Sequence, residues 1–147
     1  MNYQDLNGKA LIRGVVLYLT LYMLHLGLLP LLAGEKASSS DIRMVLYALN
    51  QFIGLVTCLA PGYLAGRVAG RQGFMHGGIV GGVSTVMTAL LAMVWAVITG
   101  ARFYGIDTLP FWVMVNVFLG AVAGIYATNL DESADKPSGE VVRHRRF

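Results

Sequence analysis

The chain alternates between four long apolar runs and short polar segments. Each run covers roughly 20–25 residues, and an α-helix of that length crosses a hydrocarbon core of about 30 Å. The pattern predicts helices over about residues 10–33, 42–71, 74–99 and 110–130. We expect these helices to form a single transmembrane domain over residues 1–130, followed by a polar, flexible tail over residues 131–147.

Composition narrows the class of protein. Hydrophobic residues make up 56% of the chain and charged residues only 13%, whereas a soluble domain carries about 25% charged residues. The first apolar run is longer than the apolar core of a signal peptide, which spans about 7–15 residues, so we interpret it as a retained helix. The predicted fold is an all-α, integral membrane four-helix bundle with up-down-up-down topology.

The distribution of basic residues predicts the orientation of this bundle. Eight of the eleven Lys and Arg residues fall in or beside the N-terminal segment, the second loop and the tail, which share one side of such a bundle. These eight are Lys9, Arg13, Arg67, Arg71, Lys136, Arg143, Arg145 and Arg146. The other side has Lys36, Arg43 and Arg102. Since basic residues concentrate in cytoplasmic loops, both termini are predicted to be cytoplasmic.

Some of these basic side chains are predicted to contact the lipid bilayer. Arg67 and Arg71 follow the apolar part of the second helix, where they would meet lipid headgroups. Arg143, Arg145 and Arg146 could hold the tail against anionic lipid. A solvated tail that only fixes the topology explains these last three residues equally well.

Glycine is concentrated between Pro61 and Gly82, which contain eight of the eighteen glycines of the chain. Several recur at every fourth position, and this spacing places them on one face of a helix. Small residues at that spacing let helix backbones approach closely in a membrane. The predicted helix-packing residues are Gly62, Gly66, Gly70, Gly77, Gly81, Gly120 and Gly124. We expect Gly73 to end the second helix and turn the chain.

Four polar side chains on three helices are predicted to lie at nearly one depth, in the half of the membrane away from the termini. With a rise of about 1.5 Å per residue, His25, Asn50, Gln51 and Asn116 lie roughly 9–12 Å from the outer ends of their helices. They could line a polar chamber or a translocation path. We favour the alternative of interhelical hydrogen bonding, because transport paths usually contain an intramembrane carboxylate or lysine.

The sequence contains no pattern that indicates catalysis. None of the familiar hydrolase or metalloprotease motifs occurs, and no Cys or acidic residue stands at ligand spacing from the three histidines, so we predict no enzyme, no metal site and no cofactor. Cys58 lies within an apolar run and is interpreted as a small buried hydrophobic residue. Nucleic-acid binding is not expected either, since no basic surface with interleaved aromatic residues is evident.

Two motifs carry a resemblance to a known family. Gly62-Tyr63-Leu64-Ala65-Gly66-Arg67 fits the pattern G-(Y/F)-(I/L)-A-(G/A)-R, and His76-Gly77 with Gly81 fits HG-x-x-(V/L)-G. In these motifs the chain resembles an uncharacterised family of small four-span bacterial membrane proteins. The resemblance implies a bacterial cytoplasmic (inner) membrane and supplies no activity. His76 falls on the motif histidine, whose role is unknown in that family.

The sequence thus predicts a non-catalytic membrane protein that packs through glycine-rich helix faces. The expected partners are the lipid bilayer and either further copies of the chain, in a homo-oligomer, or a larger membrane complex to which it is an accessory subunit. The alternative is a small channel, transporter or pore-forming protein that uses the polar layer in the outer half.

Overall fold

Four helices make up the computed structural model, which describes residues 6–32, 40–100 and 106–134. They are α1 (Gly8–Leu32), α2 (Ser40–Ala69), α3 (Gly73–Thr99) and α4 (Leu109–Ala134). Each is long and apolar enough to cross a membrane. The prediction of an all-α protein with four helices that are long and apolar enough to span a membrane is therefore confirmed in the described residues. The last helix extends beyond its predicted end at residue 130, because α4 continues to Ala134. The rest of the predicted tail, residues 135–147, lies outside the described residues.

The turn between α2 and α3 corrects two sequence predictions. Gly70 was expected to pack between helices, but α2 ends at Ala69, and Gly70 adopts a left-handed φ of 70° with nothing within 4 Å of the position of a Cβ atom. Gln72 is left-handed as well, with a φ of 55°. Gly70 thus ends a helix, as left-handed glycines commonly do. Gly73, expected to make the turn, instead begins α3.

The four helices do not pack equally against one another. Within the described residues, α2 and α3 contact each other and each also contacts α1 and α4, whereas α1 meets α4 through side chains, as Tyr18 does with Asn116. We call the end that holds the first residues of α1 and α3 and the last residues of α2 and α4 the narrow end. The opposite end, at Leu32, Ser40, Thr99 and Leu109, is the wide end.

At the narrow end, α3 and α4 meet backbone to backbone. A Cβ atom added to Gly77 would overlap the carbonyl oxygen of Gly120, and one added to Gly73 would overlap that of Gly124. Gly81 stands equally close to the backbone of Asn116. Close approach of this kind replaces the missing hydrophobic driving force with dispersion and weak polar contacts.

The other side of α4 packs against α2 in the same manner. A Cβ atom on Gly62 would lie 2.6 Å from the carbonyl oxygen of Gly120, and one on Gly66 would lie 2.6 Å from that of Gly124. The same two glycines of α4 therefore contact both neighbouring helices. As a result, α4 is held tightly between α2 and α3 along the narrow half of the bundle.

Helix α1 uses a small-residue face that the sequence analysis did not identify. Ala10, Gly14 and Tyr18 recur every four residues and are buried. A Cβ atom on Gly14 would lie 2.7 Å from a methyl group of Val80 and 3.1 Å from the carbonyl oxygen of Pro61. The pairing of Ala10 with Gly14 was the available signal, since small residues four apart indicate close helix packing.

His76 fixes the start of α1 to the start of α3. The backbone N–H of Asn7 donates to His76 Nε2 at 2.9 Å, and His76 Nδ1 lies 3.0 Å from the carbonyl oxygen of Gln72. Both contacts are satisfied by the neutral imidazole that carries its proton on Nδ1. The Asn7 side chain accepts from the N–H of Ala10 and so caps α1. His76 is 1% exposed, and its role is to join helices.

Candidate functional site

A cavity of about 790 Å³ occupies the wide half of the bundle, and all four helices contribute to its walls. It extends to Thr108, the residue before α4, and so reaches the wide end. Its polar lining consists of Tyr18, Tyr22, His25, Asn50, Gln51, Thr57, Cys58, Thr85, Thr88, Thr108 and Asn116. The glycine contacts between α2, α3 and α4 begin at the level of Asn116 and close the bundle below it.

The four polar residues singled out from the sequence line this one cavity: His25, Asn50, Gln51 and Asn116. They do not share one depth, as was expected: because Gly62 contacts Gly120, Asn116 lies level with Cys58, about two turns nearer the narrow end than Asn50 and Gln51. Within the described residues no hydrogen bond joins any of the four to another. Of the four, Asn116 is the one that forms interhelical hydrogen bonds.

Asn116 makes the floor of the cavity. Its side-chain nitrogen donates to Thr85 Oγ1 of α3 at 2.8 Å and, over a longer distance of 3.4 Å, to the hydroxyl of Tyr18 of α1. Thr85 in turn donates its hydroxyl proton to the carbonyl oxygen of Gly81 at 2.7 Å. Three helices thus converge on one buried amide at the boundary between the cavity and the glycine contacts.

The orientation of that amide follows from these bonds. The Thr85 hydroxyl has one proton, and the Gly81 carbonyl takes it. Thr85 can therefore only accept from Asn116, so the nitrogen of Asn116 faces Thr85 and its oxygen faces away from Thr85. Asn116 is 5% exposed, and its Oδ1 has no hydrogen-bond partner.

Two further cavity residues hold buried polar atoms without partners. His25 Nδ1 and Asn50 Oδ1 are both enclosed and lack a hydrogen bond. Among the described side chains, the remaining buried atom of this kind is Ser84 Oγ, and Ser84 does not line the cavity. An unsatisfied buried polar group costs about 1–3 kcal/mol. The cavity therefore concentrates hydrogen-bonding capacity that the chain itself does not use.

Aromatic and aliphatic groups complete the walls. Tyr18 and Tyr22 stack with their ring centroids 6.3 Å apart, and Trp112 of α4 also contributes. Leu55 and Leu119 add apolar surface. Among the described residues that line the cavity, none is Asp, Glu, Lys or Arg. This described part of the lining offers hydrogen bonds and apolar contacts.

Cys58 and Trp112 line the cavity, although the sequence analysis did not identify either as a cavity residue. Cys58 was interpreted as a buried hydrophobic residue and is half-buried beside the cavity. Trp112 was not singled out as a cavity residue. The signal for Cys58 was its position four residues after Gly54, on the same helical face.

The predicted lipid-contacting residues are only partly described. Arg67 and Arg71 are exposed at the narrow end, while Arg143, Arg145 and Arg146 lie outside the described residues. The four helices that are long and apolar enough to cross a membrane indicate a multi-pass membrane protein. No protein-family model, curated protein or solved structure matches the chain. The resemblance of its second hairpin to the four-span bacterial family stays a prediction.

Proposed function

We propose that this protein is a small, non-catalytic transporter that binds a solute in the wide-end cavity. The observation that supports this function is the cavity itself, a space of about 790 Å³ lined by polar groups from four helices and closed on one side by glycine contacts. Ligand sites between the helices of a bundle commonly have this volume and this mixture of apolar walls and few polar groups. A channel is the less favoured form, because α4 is in backbone contact with both α2 and α3 in the narrow half.

The proposed location is a bacterial cytoplasmic membrane, with both termini and the narrow end inside the cell. The eight basic residues predicted on that side support this orientation through the positive-inside rule. Exposed Arg67 and Arg71 are proposed to contact lipid headgroups there. The cavity would then receive its solute from outside the cytoplasm.

Assembly with other copies or with a larger complex stays a proposal, and the glycines no longer support it. Gly62, Gly66, Gly77, Gly120 and Gly124 all face other helices of the same chain. An interface with a partner would have to use other surfaces. This is the reason for placing solute binding ahead of assembly.

Cys58 provides a direct test, because it is the only cysteine of the chain and lines the cavity. Membrane-impermeant methanethiosulfonate reagents, one cationic and one anionic, would be applied to oriented proteoliposomes from either face. We expect modification of Cys58 from the wide-end face, at a rate well above that from the narrow-end face. Mass spectrometry of the intact protein measures the rate.

The matched control is a Cys58→Ser variant that carries Ile98→Cys, a substitution at an exposed residue near the wide end of α3. It reports the reactivity of a thiol on the lipid-facing surface. If Cys58 reacts from neither face while the detergent-unfolded protein reacts fully, the cavity is closed to water and the proposed function is wrong.

A further inference from the structure

We propose that the cavity takes an uncharged amphipathic molecule whose polar end carries hydroxyl or amide N–H donors, such as a glycoside or another polyol with an apolar tail. This inference rests on the proposed solute-binding function and names the class of ligand. The polar end would lie on the floor at Asn116, and the apolar part would extend along the aromatic and aliphatic walls toward the wide end.

The requirement for donors comes from the unpartnered atoms. Asn116 Oδ1 and Asn50 Oδ1 are carbonyl oxygens, which only accept hydrogen bonds, and both are buried without a donor. The orientation of the Asn116 amide is fixed, since its nitrogen is held by Thr85 and Tyr18. His25 Nδ1 adds a third buried atom, which accepts in the tautomer that carries its proton on Nε2. Asn50 and His25 lie about two helical turns, roughly 10 Å, nearer the wide end than Asn116, so the hydroxyl groups of a ligand must spread over that distance to satisfy all three.

We infer that the ligand is uncharged from the residues that line the cavity. Among the described residues that surround the cavity, none is Asp, Glu, Lys or Arg. A charged ligand in a membrane interior needs a counter-ion or pays a large desolvation cost. Tyr18, Tyr22 and Trp112 could attract an organic cation through their ring faces. That attraction is weaker than the cost of an unpaired charge, so we favour the neutral ligand.

We infer that the ligand is amphipathic from the apolar residues in the walls of the cavity. From Asn116 toward the wide end the cavity is bounded by Leu55, Ala89 and Ala92 together with the stacked tyrosines, and Leu119 adds apolar surface about one turn on the other side of Asn116. A fully polar solute would leave this surface without apolar contacts. A sugar ring carries polar edges and an apolar face that packs on aromatic rings, and a short alkyl chain fills the remaining volume.

Protection of Cys58 from modification measures occupancy of the cavity by a chosen probe. Hexyl β-D-glucopyranoside is the test probe, and it is compared with its tetra-O-methyl derivative, with hexyltrimethylammonium and with hexanoate. All four probes carry a short alkyl chain, and they differ in the hydrogen-bond donors and the charge of the polar end. We expect the glucoside to slow Cys58 modification in a saturable manner and the other three to protect at least tenfold more weakly.

Three variants locate the effect. Asn116→Ala and Asn50→Ala each remove an unpartnered oxygen, and we expect about tenfold weaker protection by the glucoside for each, the effect of losing one good hydrogen bond. Ser84→Ala is the matched control, because Ser84 Oγ is equally buried and unpartnered but lies outside the cavity. Its protection should equal that of the wild type. Using two variants guards against misfolding of either one.

The outcomes separate this inference from the proposed function. If Cys58 is modified from the wide end but the methylated glucoside or the cation protects as well as the glucoside, the ligand class is wrong and the solute-binding function stands. Equal protection in the wild type and both asparagine variants also overturns the ligand class. If Cys58 is not modified from either face, both proposals fail.

Discussion

At the scale of single residues, two histidines of this chain show how the surroundings decide the role of a side chain. His76 is enclosed and bonded through both ring nitrogens, to Asn7 and to Gln72. His25 lies beside the cavity, and its Nδ1 has no partner. The first is a structural link between helices, whereas the second is available to a bound molecule. Sequence alone could not separate them, because each histidine stands alone within an apolar helix.

Replacing these two histidines should affect stability very differently. His76→Phe removes two hydrogen bonds and leaves the Asn7 N–H without its partner, so we expect a loss of roughly 1–3 kcal/mol in the free energy of unfolding. His25→Phe is the control and should change stability by less than about 1 kcal/mol, since no bond of its Nδ1 is lost. Unfolding by SDS in mixed micelles measures both. Equal losses would contradict the assignment of His76.

Two glycines allow a similar comparison. Gly77→Ala would drive its methyl group into the carbonyl oxygen of Gly120, and forced separation of the helices should cost roughly 1–3 kcal/mol, as overpacking typically does. Gly54→Ala has nothing within 4 Å to meet and should be neutral or stabilising by up to about 1 kcal/mol. Mixed-micelle unfolding again gives the measurement. A neutral Gly77→Ala variant would mean that α3 and α4 are not in backbone contact.

At the scale of the elements, the helices were predictable and their ends were not. Long apolar runs separated by polar segments admit one arrangement in a membrane, so the four helices follow from composition and length. The packing glycines follow from their spacing of four. Gly70 has that same spacing with Gly66 and Gly62, yet it lies outside α2. Spacing carries no information about the residue at which a helix stops.

The left-handed turn after α2 gives a test at this scale. Gly70→Ala places a Cβ atom at a φ of 70°, which costs an L-residue roughly 1–2 kcal/mol, so we expect a loss of that size. Gly8→Ala is the control, because Gly8 has open space and no positive φ. Comparing the two unfolding midpoints checks the prediction. If Gly70→Ala is no more destabilising than Gly8→Ala, α2 continues beyond Ala69.

At the scale of the whole molecule, the chain is divided into a half packed by small residues and a half that holds a cavity. The depth of His25, Asn50 and Gln51 could be predicted by counting residues along helices of known rise, but Asn116 lies about two turns nearer the narrow end, level with Cys58, because Gly62 contacts Gly120. That these residues form no hydrogen bonds to one another could not be predicted, because this depends on how far the helices separate. That separation is set by the size of side chains on all four helices together, including the Tyr18 and Trp112 rings.

The orientation of the molecule can be tested independently of any ligand. A green fluorescent protein fused after Phe147 should fluoresce, and alkaline phosphatase fused there should be inactive, because we propose that the C-terminus is cytoplasmic. The same reporters inserted between α1 and α2 should give the opposite pattern. An active alkaline phosphatase at the C-terminus would invert the bundle, and the cavity would then face the cytoplasm.

The contact between Gly77 and Gly120 also restricts how the protein can change shape. Gates in many membrane proteins open when a bulky side chain swivels aside, but here two backbones touch and no side chain stands between them. A molecule in the cavity can pass between α3 and α4 only if one of these helices tilts or slides as a whole. Opening this seam therefore requires displacement of an entire helix, since rotation of a side chain cannot separate two backbones.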